Sequence, residues 1–221
     1  VQPAANYAAV VMAGQPEAYW RLNETSGDIA VDDAGGLNGT NSASVVNGVE
    51  GPRPPARPGF EAGNVARQLN GTDGWITAAP LNWNTNTVTF TAWVNLTGYD
   101  EDLSGVVFSR GISASGLDIR STGELRYHWA DGQWGFASGI FVPLNTWTFL
   151  ALVVEPGRGT LYMNDGSGLV SAVNDATHGV TPLSDPLFLG RDRTDRPLVG
   201  NIDEVAIYNR ALAPDEIVNL S

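Results

Sequence analysis

The sequence predicts an all-β protein, built as a two-sheet antiparallel β-sandwich. Short runs of Val, Ile, Thr and aromatic residues recur between clusters of Gly, Asn, Asp, Ser and Pro, a spacing typical of sandwiches and barrels. Residues 89–95 alternate, so that Phe90, Ala92 and Val94 share one face. Residues 148–154 are apolar on both faces, which indicates a central strand that is buried on both sides and covered by a second sheet.

The elements follow from the same signals, taken in chain order. Strands are predicted at 18–22, 65–70, 74–78, 87–96, 104–110, 115–120, 124–130, 134–138, 147–155, 159–163, 168–173, 186–190 and 199–208. Tight turns are predicted at 121–123, 156–159 and 164–166, where Gly, Asn, Asp, Ser and Pro cluster.

Two short helices and one loop complete the prediction. A helix is predicted over 6–13, and a second begins at Pro214, which Asp215 and Glu216 follow in the first turn. The proline-rich segment 48–60 is interpreted as a loop within one domain, because the strand at 18–22 needs a sheet to join. Residues 1–221 are therefore predicted to form a single domain.

Composition excludes several chemistries. The 12 basic residues are all arginine, which rules out a P-loop and a lysine Schiff base, and the 24 acidic residues give a net charge of −12. This charge argues against a nucleic-acid partner, because binding there depends on neutralising phosphates. Cysteine is absent, which excludes disulfides, zinc–thiolate sites and cysteine nucleophiles.

The ends and the apolar runs of the chain predict its setting. The longest apolar run, 149–154, is far shorter than the roughly 20 residues that span a bilayer, so no membrane insertion is expected. The chain begins with Val1 rather than Met, which favours a processed or excised piece of a longer protein. We therefore expect fusion to other domains, with this part of the chain a monomer.

Five segments in order resemble a known domain family. They are Pro16 to Glu24, Leu69 to Ile76, Phe90 to Val94, Trp147 to Gly166, and the closing run Gly200-Asn201-Ile202-Asp203-Glu204-Val205-Ala206-Ile207-Tyr208-Asn209-Arg210-Ala211-Leu212. Together they resemble the laminin-G-like, concanavalin A-like jelly roll found in secreted multidomain bacterial proteins. The resemblance implies a jelly-roll sandwich over the whole chain, and a secreted or cell-surface location in a bacterium.

The sequence contains no motif that supports catalysis, so the chain is predicted not to be an enzyme. Endo-glucanases of this fold share an E-x-D-x-x-E strand, and none of the nine glutamates here has an aspartate two residues on. Polysaccharide lyases of this fold use a Gln–His or Tyr–His pair with a supporting arginine on the concave face. Tyr127, His128 and Arg126 echo that set, but neighbours on one strand point to opposite faces.

A structural calcium ion is the cofactor that the resemblance implies. Jelly rolls of this family often tie an N-terminal loop to the final strand through calcium, which prefers carboxylate, amide and backbone oxygens. The matching positions here are Asp32, Asp33, Asn70 and Asp203. The alternative is that Asp203 caps a turn or pairs with Arg210.

Aromatic residues with polar neighbours predict a carbohydrate site. Sugar rings stack on Trp and Tyr, while their hydroxyls hydrogen-bond to polar side chains. The candidate residues are Arg126, Tyr127, His128, Trp129, Asp131 and Trp134 around one hairpin, with Trp83 in a polar loop. The alternative for Trp129 and Trp134 is burial in the core, where tryptophan is usually found.

The leading hypothesis is a non-catalytic carbohydrate-binding module that targets a larger secreted protein to a polysaccharide or glycan. A cell-surface adhesion or protein-interaction module is the alternative, followed by a polysaccharide lyase or glycoside hydrolase. The charged segment Arg191-Asp192-Arg193-Thr194-Asp195-Arg196 is interpreted as a self-neutralised turn; the alternative is guanidinium recognition of an acidic sugar.

Overall fold

The computed structural model describes residues 6–111, 114–192 and 196–221. The described residues form seventeen strands and two short helices. In chain order they are α1 (Tyr7–Ala13), β1 (Ala18–Trp20), β2 (Ile29–Ala30), β3 (Gly39–Asn41), β4 (Val46–Glu50), β5 (Val65–Asn70), β6 (Ile76–Ala78), β7 (Trp83–Thr85), β8 (Val88–Leu96), β9 (Leu103–Arg110), β10 (Ala114–Arg120), β11 (Leu125–His128), β12 (Thr148–Glu155), β13 (Arg158–Asn164), β14 (Val170–Asn174), β15 (Thr181–Leu183), β16 (Leu187–Leu189), β17 (Val199–Tyr208) and α2 (Pro214–Leu220).

Two antiparallel sheets pack face to face. The first sheet has the order β14-β13-β12-β8-β17-β5-β4, and β1 also pairs with β17. The second sheet has the order β11-β10-β9-β16-β6-β3-β2, while β7 and β15 form a separate pair. The predicted all-β sandwich is therefore confirmed.

The main core fills the space between the sheets, and a second apolar cluster lies on the outer side of the first sheet. Strand β8 contributes to both, because Phe90 and Val94 enter the main core while Trp93 enters the second cluster. The second cluster also contains residues of α1 and α2. Strand β12 is buried on both sides as predicted, but a helix and loop layer, rather than another sheet, covers its outer face.

Some predicted elements are wrong or missing. The segment 134–138 is not a strand; the Arg126 guanidinium donates to the Trp134 carbonyl and the Ser138 hydroxyl to the Leu125 carbonyl in place of a strand ladder. Strands β2, β3, β4, β7 and β15 were not predicted. They are two to five residues long, so they lack a local apolar signal and are ordered by pairing with neighbours.

The helices are both short surface elements. No helix in the described ranges has the length and apolar character needed to cross a membrane. The N-terminal helix starts at Asn6, whose side-chain oxygen accepts from the Ala9 amide, and α2 begins at the predicted Pro214.

Candidate functional site

Strand β11 sends alternate side chains to opposite sides of the second sheet, as a strand must. Leu125 and Tyr127 enter the core between the sheets, and Trp129, just after the strand, does the same. Arg126 and His128 face away from that core, on the outer face of the second sheet. The residues predicted around this hairpin are therefore divided between two environments.

The inner side chains of the hairpin hold the segment that precedes β15. The Tyr127 hydroxyl lies 2.8 Å from Nε2 of His178, and the Trp129 indole donates to the Gly179 carbonyl at 2.8 Å. Burial lowers the pKa of His178 and raises the pKa of Tyr127 to about 12. The structure contradicts the prediction that Tyr127 and Trp129 contact a glycan, because neither ring has a face open to solvent.

On the outer side, the buried carboxylate of Asp118 orients His128. Oδ2 of Asp118 lies 2.6 Å from Nδ1 of His128, while Oδ1 is buried and has no hydrogen-bond partner. Burial raises the pKa of Asp118, and the hydrogen bond with His128 opposes that shift. Among the described residues, Nε2 of His128 has no hydrogen-bond partner, and 13% of the side chain is exposed. The imidazole is thus held at one nitrogen and open at the other.

Gly116 allows rings of two non-adjacent strands to meet. Gly116 lies between His128 and Phe108 in one register row, and a Cβ at this position would come within 2.2 Å of the Val107 carbonyl oxygen. Because no side chain intervenes, the rings of Phe108 and His128 lie 5.6 Å apart, edge to face. The same register row continues to Phe188 in β16. The row therefore runs across four strands, and its two ends are about 14 Å apart at the usual strand spacing.

Trp134 is the exposed ring of this surface. Its side chain is 55% exposed, and its ring centroid lies 6.1 Å from that of His128. The guanidinium of Arg126 donates to the Trp134 carbonyl. Arg126 is only 7% exposed, so the structure contradicts its prediction as a glycan contact and gives it a supporting role beneath Trp134.

Arg191 covers the other end of the row. Its guanidinium carbon lies 3.9 Å from the ring centroid of Phe188 and 4.0 Å from that of Trp75, within the range of cation–π contacts. Burial lowers the pKa of Arg191, while the charge of Asp192 opposes that shift. A guanidinium held between two aromatic faces is fixed in orientation.

The neighbouring Asp192 is a buried carboxylate whose charge is matched. Oδ1 lies 3.3 Å from Nε of Arg110, and Oδ2 lies 2.9 Å from Nη1 of Arg196. These pairs support the interpretation of a self-neutralised segment. Residues 193–195 of the predicted charged segment lie outside the described residues.

Asp131 and Trp83 do not share the Trp134 environment. The carboxylate of Asp131, in the turn after Trp129, accepts from the backbone amides of Gly179 at 2.7 Å and Gln133 at 3.3 Å. Trp83 lies in β7, where its side chain is half-buried against the sandwich core rather than exposed in a loop. Of the seven predicted carbohydrate residues, the structure therefore leaves His128 and Trp134 together on an accessible surface.

The predicted metal residue Asp32 organises a loop. Its Oδ1 accepts from the amides of Tyr19 and Ala34, and its Oδ2 from those of Gly35 and Leu37, at 2.7 to 3.1 Å. Four amide donors occupy this carboxylate, which leaves it poorly suited to ligate a cation. Its neighbour Asp33 is exposed at the same loop.

Asn70 closes a turn in the same manner. Its side-chain oxygen accepts from the amides of Thr72, Asp73 and Gly74, at 2.9 to 3.1 Å. Asn70 is paired with Val199, four residues before Asp203 on β17, so Asn70 and Asp203 are separated by about 13 Å along the strand.

The four predicted calcium ligands therefore do not form one site. No group of three or more His, Cys, Asp or Glu side chains that could hold a metal occurs within residues 6–111, 114–192 and 196–221. Asp203 keeps a buried oxygen available: Oδ2 accepts from Nδ2 of Asn64 at 2.7 Å, whereas Oδ1 is buried and unpaired. Oδ1 of Asn64 is also buried and unpaired, and two such oxygens suit a hard cation.

Glu204 extends this buried polar cluster. Its φ angle is +50°, at the point where the pairing of β17 with β8 shifts register. The hydroxyl of Tyr19 donates to one carboxylate oxygen, and Nε of Arg21 lies 3.6 Å from the other. Burial raises the pKa of Glu204 to about 7, and burial together with the Glu204 charge raises the pKa of Asp203.

A laminin G family model, described as the concanavalin A-like lectin/glucanases superfamily, matches residues 70–218. The chain belongs to this superfamily. The match covers β9, β10, β11 and β16 of the second sheet and the β17 segment with Asp203. No curated protein sequence matches the chain.

Solved structures share the superfamily sandwich at low sequence identity. Domain 4 of AbnA, an extracellular GH43 arabinanase from Geobacillus stearothermophilus, in complex with arabinotriose, is 20% identical, with a TM-score of 0.64 over 93% of this chain and 98% of that domain. A Trypanosoma rangeli sialidase is 16% identical, with a TM-score of 0.66 over 93% of this chain and 32% of the sialidase. The binding domain of botulinum neurotoxin serotype D is 16% identical, with a TM-score of 0.65 over 94% of this chain and 51% of that chain.

The similarity to these three structures concerns the fold alone. The chain spans about a third of the sialidase and about half of the neurotoxin chain. This sandwich fold thus occurs in chains of enzymes and in binding domains.

Sequence reasoning missed Asp118 and Asn64. Asp118 lies in a predicted strand between Leu117 and Ile119, and an acidic residue between two apolar residues is an available signal. Asn64 lies in a loop before β5 and is brought to Asp203 across 139 residues, for which no local signal exists.

Proposed function

We propose that this chain is a non-catalytic carbohydrate-binding module that uses the outer face of the second sheet. The observation that carries the proposal is the exposed Trp134 indole beside His128, whose Nε2 is free among the described residues. The indole offers a face for the C–H side of a sugar ring, and the imidazole offers a hydrogen bond to a hydroxyl.

The carboxylates of this face favour binding over hydrolysis. Hydrolysis of a glycosidic bond uses two carboxyl groups that flank the bond, one as acid and one as nucleophile or base. Asp118 is fully buried against His128, and Asp192 is fully buried against Arg110 and Arg196. Neither presents an oxygen to a bound sugar in the described part of the face.

The setting of the module is part of the proposal. We propose a secreted or cell-surface bacterial protein in which this monomeric domain keeps attached domains near a polysaccharide, which raises their effective concentration there. The similarity to a domain of an extracellular arabinanase, solved with arabinotriose, supports this role.

A calcium ion bound by Asp203 is also proposed. The supporting observation is the pair of buried, unpaired oxygens, Oδ1 of Asp203 and Oδ1 of Asn64. A divalent cation would offset the mutual repulsion of Asp203 and Glu204 and link the loop before β5 to β17.

One observation favours a second function. An imidazole held by a buried carboxylate, as His128 is by Asp118, is the arrangement that orients a general base. A polysaccharide lyase, which abstracts a proton from a sugar acid, is therefore the second candidate.

Affinity electrophoresis separates these functions. The wild-type chain is run through gels containing arabinan, xylan, pectin, alginate or β-glucan, with calcium or with EDTA, and the same mixtures are assayed for reducing ends and unsaturated products. Retardation without product is expected. Product would overturn the binding proposal in favour of catalysis, and no retardation in any gel would overturn it in favour of a protein-interaction module.

A further inference from the structure

Asp118 has no role in the proposed function as stated, yet it is the group in contact with His128. We infer that Asp118 is a positioning residue: it holds His128 with the proton on Nδ1, so that Nε2 is presented beside Trp134 as a hydrogen-bond acceptor for a sugar hydroxyl. This inference rests on the proposed carbohydrate-binding function and adds the atom that recognises the ligand.

The hydrogen bond between His128 and Asp118 determines which imidazole nitrogen carries the proton. Nδ1 of His128 lies 2.6 Å from Oδ2 of Asp118, within hydrogen-bond distance. A carboxylate accepts and does not donate, so the proton lies on Nδ1. A neutral imidazole with its proton on Nδ1 has a lone pair on Nε2, and Nε2 has no partner among the described residues.

The charge on Asp118 depends on its surroundings. Burial and the charge of Asp192 raise the pKa of Asp118, whereas the positive charge of Arg126, its partner in the register of β10 and β11, favours the ionised carboxylate. The proton on the hydrogen-bonded nitrogen does the same. The two outward residues of β11 therefore act together, one on the charge of Asp118 and one as its hydrogen-bond partner.

The orientation of the His128 ring is also fixed. The edge-to-face contact with Phe108 across Gly116, and the contact with Trp134, hold the imidazole from two sides. A ring that is already ordered loses less conformational entropy when a ligand binds. The arrangement thus prepares both the indole and Nε2 before the sugar arrives.

Burying the carboxylate of Asp118 lowers the stability of the fold. A fully buried carboxylate with one unpaired oxygen loses its hydration, and an apolar side chain in a sheet would avoid that loss. Local departures of this kind are typical of functional sites. The position is explained by what the carboxylate does to His128.

The first test needs no ligand. Long-range ¹H–¹⁵N NMR on the wild-type chain reports which nitrogen of His128 carries the proton, with His178 as an internal reference. The expected result is a protonated Nδ1 and an unprotonated Nε2. A proton on Nε2 in the wild-type chain, whether in the opposite tautomer or in a doubly protonated ring, would overturn the inference, whether or not any variant folds.

The second test uses variants of equal size. Asp118→Asn replaces an acceptor by a group that can donate, which shifts the imidazole to the Nε2–H tautomer. Binding to the polysaccharide that retards the wild type most, with arabinan tested first, is expected to weaken about 3- to 10-fold, the effect of one lost hydrogen bond. Asp192→Asn is the matched control, because Asp192 is a buried carboxylate of the same face paired with arginines.

The outcomes distinguish this inference from the proposed function. If Trp134→Ala abolishes retardation while a folded Asp118→Asn binds as the wild type does, the carbohydrate site stands and the positioning role of Asp118 is refuted. If Asp118→Asn does not fold, the tautomer of His128 in the wild-type chain decides the positioning role, because a loss of binding in a His128 variant would follow from the proposed function alone. If no polysaccharide is retained by the wild type, the proposed function fails and this inference fails with it.

Discussion

Two tryptophans five residues apart have opposite environments. Trp129 is fully buried and donates to the Gly179 carbonyl, whereas Trp134 is 55% exposed. The sequence left both environments open for each residue, because the Asp131-Gly132 turn between them can rotate either ring inward. The structure decides between them through Arg126, whose contact with the Trp134 carbonyl holds that segment on the outer face.

Trp134→Ala is expected to weaken binding to the retained polysaccharide about tenfold or more, because it removes the stacking surface. Stability should change by less than about 0.5 kcal/mol, as at other exposed positions. Phe141→Ala is the matched control, since Phe141 is equally exposed but lies beside Glu124. Equal affinity of the Trp134 variant and the wild type in quantitative affinity electrophoresis would exclude this surface.

Trp129→Ala is expected to destabilise the fold by about 3–5 kcal/mol, the usual effect of removing a buried aromatic ring. It also leaves the Gly179 carbonyl without its donor. Chemical denaturation measures the change. A loss below about 1 kcal/mol would mean that the ring is not part of the core.

His178 predicts a dependence of stability on pH. Burial lowers its pKa in the folded chain, so the unfolded chain takes up the proton first as the pH falls below about 6.5. The contribution of His178 to stability should therefore decrease from about pH 6.5 down to the folded pKa and then stay constant, while Glu204, whose pKa burial raises to about 7, contributes the opposite trend over the same range. Denaturant midpoints at pH 7.5, 6 and 5 measure the effect. His178→Gln lacks the titrating group, so it should lose less stability than the wild type, or gain more, as the pH falls over this range; identical profiles would contradict the prediction.

At the scale of elements, the hairpin of β10 and β11 was largely predictable. The predicted turn at 121–123 is present, since the Arg120 amide donates to the Glu124 carbonyl, and this turn fixes Gly116 opposite His128. The diagonal contact between Asp118 and His128 was not predictable. It depends on the side-chain rotamers of two residues that are not direct partners in the register, and rotamers carry no sequence pattern.

Gly116→Ala is expected to destabilise the second sheet by about 1–3 kcal/mol, because an added Cβ would meet the Val107 carbonyl oxygen at 2.2 Å and Cα of Phe108 at 2.7 Å. Thermal unfolding measures the loss. Gly132→Ala serves as the comparison, because a Cβ added at Gly132 would meet no other atom within 4 Å. Its φ of +99° nevertheless adds local strain to the variant. A smaller loss of stability in Gly116→Ala than in Gly132→Ala would contradict the close packing of β9 on β10.

At the scale of the whole molecule, composition and strand spacing were enough to predict the sandwich, and ordered motifs were enough to predict its family. The metal ligands were not predictable in the same way. Asp32 and Asn70 have the residue types that calcium prefers, but tight turns direct backbone amides onto their oxygens. Such local competition for an oxygen becomes visible only once the turn geometry is known.

Asp203→Asn tests the proposed calcium. The wild-type melting temperature is expected to be higher in calcium than in EDTA, because a cation that binds only the folded chain stabilises it. The variant should lose that difference, since it removes a charge next to Asn64. Asp73→Asn, in an exposed turn, is the control and should keep the difference. A difference that survives in Asp203→Asn would place any metal elsewhere.

The contact between the two helices has a practical consequence for attachment. The Tyr7 hydroxyl of α1 donates to the carbonyl of Leu220 in α2, and both helices cover the first sheet, on the side of the sandwich away from Trp134. A flexible tether joined near either helix therefore leaves from the same side. Immobilising the domain on a sensor surface through either tether would leave the Trp134 side facing the solution.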